Sequence, residues 1–242
     1  MLSYGFLAFN NWPILKRTLE SAKKLKHTQG PVQWVIVDNS TKEFHADMQI
    51  CILKWCIDNP DLDVVTIFNG GENTGEGGGM NQCFNACTGD HILFFQDDWE
   101  CVVNYPFVDL AIETVDTFSQ IFMVHLSQRD WDYSNKNIRM GRVLMKKGDM
   151  VVSELQHNGL GNNTFQVKLL RKDDWIKVGP YLTADDINFN RYKPDVREGS
   201  IGELDYGVRL AKLDYRAAKI NTGQFIHTIP ENARSEHFIT NG

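Results

Sequence analysis

The sequence predicts an α/β fold, with a mostly parallel central sheet flanked by helices, and three observations carry that prediction. Short apolar runs alternate with helical stretches in the order β-α-β-α-β-α-β through residues 5–95. The connections are short, which parallel strands allow when each crossover is itself a helix. Three of the apolar runs close at Phe9-Asn10, Asp38-Asn39 and Asp97-Asp98, and strand carboxyl ends are where open α/β sheets hold their ligands.

Residues 5–9, Gly-Phe-Leu-Ala-Phe, read as a short buried strand. Asn10-Asn11-Trp12-Pro13 then reads as a helix start, with an asparagine cap and a proline in the first turn. Ile14, Leu15, Leu19, Ala22 and Leu25 give that helix an apolar face at 3.6-residue spacing. Residues 33–37 form a second strand closed by Asp38-Asn39-Ser40, 48–58 a helix and 64–68 a third strand. The segment 69–79 carries six glycines and leads into a helix expected from about residue 80 to Ala86. Gly89 closes that stretch, and 92–95, Ile-Leu-Phe-Phe, is the fourth strand.

Beyond it, 105–118 reads as a helix and 121–126 as a strand. Residues 129–165 are polar and irregular, with a hairpin around Lys146-Lys147-Gly148-Asp149. A strand is expected at 166–170, a short helix at 173–178 before Gly179-Pro180-Tyr181, and a polar loop with Pro194 at 183–200. A helix at 204–213, a last strand region at 219–229 and a loose tail after Pro230 complete the chain. No repeat, low-complexity tract or linker divides it, so one domain over 1–242 is expected. Right-handed crossovers bring the ends of the first, second and fourth strands to one edge.

Composition narrows the function. The 242 residues are 42% apolar and 23% charged, an ordinary globular balance. A net charge of −6 weighs against a large duplex nucleic-acid interface, which wants a basic surface. Cys51, Cys56, Cys83, Cys87 and Cys101 are odd in number and form no CxxC pair, which reads as buried thiols in a reducing compartment. No run approaches the ~20 apolar residues of a membrane span. The amino terminus shows no basic segment followed by an apolar one, so a cytoplasmic location is expected.

The strongest chemical signal is Asp97-Asp98 after Phe94-Phe95-Gln96. Carboxylates at the end of a buried strand are costly unless they bind something, and a hard divalent cation carrying a diphosphate suits them. Asp38 reads either as an acceptor for a nucleobase or ribose or as the start of an Asx turn. The glycine-rich segment reads either as a phosphate-facing loop or as a flexible surface loop; it is neither a P-loop nor a dinucleotide fingerprint. His227, in Phe225-Ile226-His227, is either structural or a third metal ligand. Glu203-Leu204-Asp205, with Arg209 a turn later, is either helix capping or the seat of a general base.

Taken in order, these pieces resemble the GT-A nucleotide-sugar glycosyltransferases, the family-2-like branch in particular. The matching residues are Phe9-Asn10, Val37-Asp38-Asn39-Ser40, Asn73-Thr74-Gly75, Asn81, Gly89 and Phe94-Phe95-Gln96-Asp97-Asp98. Further on they are Leu170-Arg171, Val178-Gly179-Pro180-Tyr181 and Glu203-Leu204-Asp205 with Arg209. The resemblance covers most of the chain. It implies a GT-A (Rossmann-like) fold with a small antiparallel portion on the acceptor side. Residues 1–100 would form the nucleotide-sugar-binding half and 101–242 the acceptor and catalytic-base half.

The resemblance further implies transfer of a hexose or pentose from a nucleotide-diphosphate sugar, a UDP-sugar first, to a glycan or other hydroxyl, with inversion. Phe9, Asn10, Asp38, Asn73, Gly75, Asn81 and Asp97 would meet the donor, and Asp98 with His227 would hold Mn²⁺ or Mg²⁺. Gln96 stands where the family places its first acid, which leaves Asp98 the main metal contact. Glu203 takes the base position, with Asp205 beside it. The Gln-x-x-Arg-Trp segment of processive synthases is absent, which implies transfer of one sugar. The acceptor would be met by residues 129–165 and 183–200, where Trp131, Tyr133 and Tyr192 are suited to stacking, as are Trp175 and Tyr181 nearby. A modified DNA base is a further acceptor, against which the acidic charge weighs. Two other classes compete: a nucleotidyltransferase, whose Gly-x-Gly-Thr/Ser-Arg loop is not found at Phe9-Asn10-Asn11-Trp12, and a non-catalytic glycan or nucleotide-sugar binder.

Overall fold

The structure, a computed structural model, describes residues 1–102, 106–126, 138–157, 167–183, 186, 198–221 and 225–227. The stacking residues Trp131, Tyr133 and Tyr192, Pro194 and the tail after Pro230 lie outside the described residues, as does most of the expected acceptor loop 183–200. The elements run β1 Leu2–Ala8, α1 Trp12–Ala22, β2 Val32–Asp38, α2 His45–Asp58, β3 Asp63–Phe68, α3 Gly75–Ala86, β4 His91–Gln96 and β5 Trp99–Cys101. They continue α4 Phe107–Thr117, β6 Ile121–His125, β7 Ile138–Lys147, β8 Met150–His157, β9 Lys168–Arg171, α5 Lys172–Val178, α6 Glu198–Lys212, β10 Arg216–Ile220 and β11 Phe225–His227.

Nine strands form one sheet in the order β3-β2-β1-β4-β9-β6-β10-β8-β7. The amino-terminal four are parallel, as the alternating pattern predicts. β9 enters antiparallel between β4 and β6, β10 runs parallel to β6, and β8 and β7 finish the sheet antiparallel. This is a mixed α/β arrangement, mostly parallel, with an antiparallel edge.

Helices cover both faces, so the central strands are buried on both sides and read as continuous apolar runs. One face carries Tyr4, Phe6, Trp34, Ile36 and Phe95, the other Leu7, Val35, Val37, Phe84 and Phe94. Phe6 stacks between Trp34 and Phe95, at 5.2 and 4.7 Å between ring centroids, and so locks three neighbouring strands. α1 begins as its sequence dictates: the Asn11 side chain accepts from the Ile14 N–H at 3.2 Å, and a proline sits in the first turn.

Three expectations are corrected. The helix expected from about residue 80 starts at Gly75, so the glycines at 77–79 are helical. Local propensity reads them as loop, but the packing demands them. A Cβ on Gly79 would lie 2.4 Å from Leu7 of β1, and one on Gly77 only 2.1 Å from the Leu182 carbonyl oxygen. Second, the hairpin at Gly148 extends into the long strands β7 and β8, where an irregular segment was expected. Third, the last strand region divides into β10 and the short β11, which leaves the main sheet to pair with β5.

Candidate active site at the carboxyl ends of β1, β2 and β4

The three strand ends converge as the topology predicts. The Phe9 N–H donates to the Asp97 carboxylate at 2.8 Å, and the Asn39 N–H donates to the Ala8 carbonyl at 3.0 Å. Asn10 sits at φ +54°, in the left-handed region that asparagine tolerates. Its N–H donates to Ser40 Oγ at 2.9 Å, and its side-chain oxygen accepts from the Thr41 N–H at 2.9 Å. Asn10 is therefore a clasp between the turns that follow β1 and β2.

Asp38 is 2% exposed and closes an Asx turn, its Oδ1 accepting from the Ser40 N–H at 3.1 Å. Burial pushes its carboxyl above the ordinary range, and the Ser40 hydrogen bonds pull it back.

The residue that organises this corner is Asn39, which the sequence offers as turn chemistry and as part of the Val37-Asp38-Asn39-Ser40 match, without a role of its own. Its Oδ1 accepts from Asn69 Nδ2 at 3.0 Å and from the Thr74 N–H and hydroxyl, both at 2.9 Å. Its Nδ2 donates to Asn73 Oδ1 at 3.0 Å and to the Gly75 carbonyl at 2.9 Å. Asn73 Oδ1 also accepts from the Gly75 N–H at 2.9 Å, with Gly75 at φ +72°, where a side chain would be strained. Asn73 and Gly75, expected to meet a donor, are thus positioned by Asn39. Asn81, further along α3, exchanges two hydrogen bonds with the backbone of Tyr181, at 2.9 and 2.8 Å.

The carboxylates lie beside this corner. Burial raises Asp97 well above the usual carboxylate range, its neighbour Asp98 raises it further, and the Phe9 N–H opposes both. The Gln96 side-chain amide donates to Glu76, at the start of α3, while its oxygen accepts from the Trp99 indole at 3.3 Å, which fixes the amide's orientation. Glu76 is pushed up to about 8, first by burial, then by Glu203; Lys168 lowers it, Asp98 raises it and Gln96 lowers it. Lys168, on β9, is fully enclosed at 0% exposure. Burial drags it down to about 7 against the pull of Glu203 and Glu76.

Three elements and the β4–β5 turn therefore bring Glu76, Lys168, Glu203 and Asp98 into one electrostatic cluster. Glu76 and Lys168 are the members that sequence reasoning missed. The available signal was topological: a lysine in a strand covered by helices on both faces has no solvent to reach.

Glu203 and Asp205 part company. Glu203 joins the cluster, whereas Asp205 accepts from Arg209 Nε at 2.9 Å one turn on, and Arg209 also donates to the Val178 carbonyl at 3.1 Å. His227 stands opposite Trp99 in the β11–β5 pair, next to Asp98 in the chain; its side chain lies outside the described residues. Among the described residues, no three His, Cys, Asp or Glu side chains form a metal cage.

The sequence profile of Glycosyl transferase family 2 matches residues 6–172, more than half of the chain. The chain belongs to glycosyl transferase family 2. No curated protein matches it in sequence. Among solved structures, it is similar to the mannosyltransferase PcManGT from Pyrobaculum calidifontis, in complex with GDP-Man and Mn²⁺ (TM-score 0.65, 15% identity, 95% of this chain and 57% of that one). It is also similar to S. aureus TarS in complex with UDP-GlcNAc (TM-score 0.58, 13% identity, 95% and 59%). GalNAc-T7 with UDP, GalNAc and Mn²⁺ shares the fold as well (TM-score 0.62, 12% identity, 91% and 42%). The chain thus spans about three fifths or less of these structures' lengths.

The crowded carboxylates of this family 2 chain make a pH prediction. Glu76 holds its proton to about pH 8 in the folded state but releases it near 4.5 when unfolded. Its contribution to stability is therefore complete below 4.5 and is lost as pH rises through 8. Between pH 5 and 7, in EDTA, Glu76→Gln should gain stability over the unaltered protein, with a Tm difference that widens as pH rises. A constant Tm difference across that window would refute the assignment.

Proposed function

We propose that this chain transfers one hexose or pentose from a nucleotide-diphosphate sugar, with UDP as the nucleotide, to a glycan or other acceptor hydroxyl, with a divalent cation and with inversion. The supporting observation is the meeting of Asp98, Glu203 and Lys168 around Glu76, at the start of α3. Membership of family 2 supports the reaction class. The nucleotide-sugars and Mn²⁺ named with PcManGT and GalNAc-T7, and the UDP-GlcNAc named with TarS, support the donor and cation classes.

The donor set fits Mn²⁺ or Mg²⁺. Hard cations of this size need only one or two protein carboxylates when a diphosphate supplies further oxygens. Carboxylates that raise one another's proton affinity, as Asp98 does for Asp97 and Glu76, form a site short of positive charge. Asp98 would hold the cation, with His227 as the second ligand, and the bound cation would supply Lewis-acid neutralisation of the departing diphosphate.

The chain's own residues do the rest. Asp38 and the Phe9-Asn10 turn would receive the nucleoside. Asn73, Gly75 and the start of α3 would line the diphosphate and sugar, with Asn81 holding α3 to the Tyr181 segment. Glu203 would take the proton from the acceptor hydroxyl as that oxygen bonds to the anomeric carbon. The bond from that carbon to the diphosphate breaks, and the nucleoside diphosphate leaves with its electrons. One displacement inverts the configuration. The five free thiols suit a reducing compartment, the cytoplasm.

A panel of UDP-, GDP- and dTDP-sugars, assayed for nucleotide release and thermal stabilisation with and without Mn²⁺, tests this. A donor at 100 times its Kd stabilises the fold by roughly 2.7 kcal/mol. Asp98→Asn should lose the Mn²⁺-dependent part of that stabilisation. An undiminished Mn²⁺ response in this variant would remove Asp98 from the cation site. Stabilisation with no nucleotide release under any condition would favour a non-catalytic binder.

A further inference from the structure

A lysine ammonium wholly withdrawn from water needs an anion to stay charged, and Lys168 has Glu203 of α6 within electrostatic range, with Glu76 of α3 as the weaker neighbour. Its backbone is fixed at the centre of the sheet, opposite Phe94 of β4 and His125 of β6. Its ammonium donates to the Tyr181 hydroxyl at 3.0 Å and lies 5.2 Å from the Tyr181 ring centroid and 5.8 Å from that of Phe94.

Tyr181 is itself held from two sides. Asn81 of α3 binds its backbone, and its ring stacks on Tyr206 of α6 at 3.9 Å between centroids and 15° between planes. Tyr206 follows Glu203 by three residues, so the two share a face of α6. The lysine thus bears on Glu203 twice: by charge, and through Tyr181 and Tyr206, which set where that turn of α6 lies.

We propose that Lys168 is the positioning residue of Glu203, holding its carboxylate at the acceptor side of the site while Tyr181 holds the lysine. The proposal rests on the reading of Glu203 as the general base. Lys168 touches no reacting atom; it stiffens the geometry in which the base meets the hydroxyl.

The test is a double-mutant cycle read as nucleotide release from the donor that the panel identifies. Lys168→Met should lower kcat about 100-fold, the scale of a small misplacement of catalytic groups, with the donor KM within about 2-fold. Lys168→Arg should restore part of the loss. In the Glu203→Gln background, Lys168→Met should change the residual rate less than about 2-fold, because its target is already gone. Equal losses in the two backgrounds, or a kcat in Lys168→Met near that of the unaltered protein, would overturn the proposal.

Tyr181→Phe removes only the hydroxyl and carries the same cycle if Lys168→Met does not fold. It should lower kcat about 5-fold, the scale of one lost hydrogen bond, and only when Glu203 is present. An equal effect of Tyr181→Phe in the Glu203→Gln background would overturn the proposal. Normal turnover in Glu203→Gln by itself would instead sink the base assignment.

Discussion

Replacing Glu203 by Gln is expected to lower sugar transfer about 10²- to 10⁴-fold, the usual contribution of a positioned general base, with nucleotide and Mn²⁺ binding retained. The substitution is nearly isosteric, so α6 and the Tyr181–Tyr206 stack should persist. What it removes is a carboxylate from a cluster in which burial and Glu203 together push Glu76 up to about 8. Glu76 should relax towards its ordinary range, so the variant should be no less stable than its parent. Asp205→Asn is the informative companion. Asp205 is engaged by Arg209 at 2.9 Å, and an i,i+4 helix pair contributes only about 0.3–0.5 kcal/mol. Its transfer rate should fall far less than that of Glu203→Gln. Nucleotide release that survives in Glu203→Gln and vanishes in Asp205→Asn would exchange the two roles.

The second large effect is structural. Gly77→Ala should destabilise the protein by about 2 kcal/mol, although alanine favours a helix by about 1 kcal/mol over glycine. The added methyl carbon would stand 2.1 Å from the Leu182 carbonyl oxygen and 3.3 Å from Tyr181 Cβ. A backbone carbonyl cannot rotate aside as a side chain does, so α3 and the 181–183 segment must separate. Separation strains the paired hydrogen bonds between Asn81 and Tyr181, and with them the tie from Tyr181 to Lys168. For a chain of this length the expected fall in Tm is roughly 4–8 °C, with weaker donor binding beside it. A Tm within about 1 °C of the parent protein would mean that the contact yields easily.

Both predictions show which parts of the molecule a sequence can disclose. The parallel half was legible because strands such as 92–95 are apolar throughout and their ends carry turn or acidic residues. The convergence of Phe9, Asp38 and Asp97 followed from crossover handedness alone. The start of α3 was not legible, because Gly77 and Gly79 answer to Leu182 and Leu7, residues distant in the chain. β5 and β11, three residues each, are too short for any periodicity to register. Lys168 sits in Val167-Lys168-Leu169-Leu170, where a lone charge looks like a solvent-facing position. Its enclosure is visible only once β9 is seen between β4 and β6. Asn39 and Glu76 were hidden in the same way, since a side chain that bonds to several loops leaves no local pattern.

The insertion of β9 between β4 and β6 also has a consequence for how the protein is made. β4 is synthesised long before its second neighbour, so during translation one edge of Phe94 and its flanking residues stays unpaired until β9 emerges. An exposed apolar edge invites pairing with other chains, and pairings between distant segments form slowly. The nascent amino-terminal half therefore passes through an interval in which it is most in need of protection from aggregation, and a ribosomal stall before residue 168 prolongs that interval.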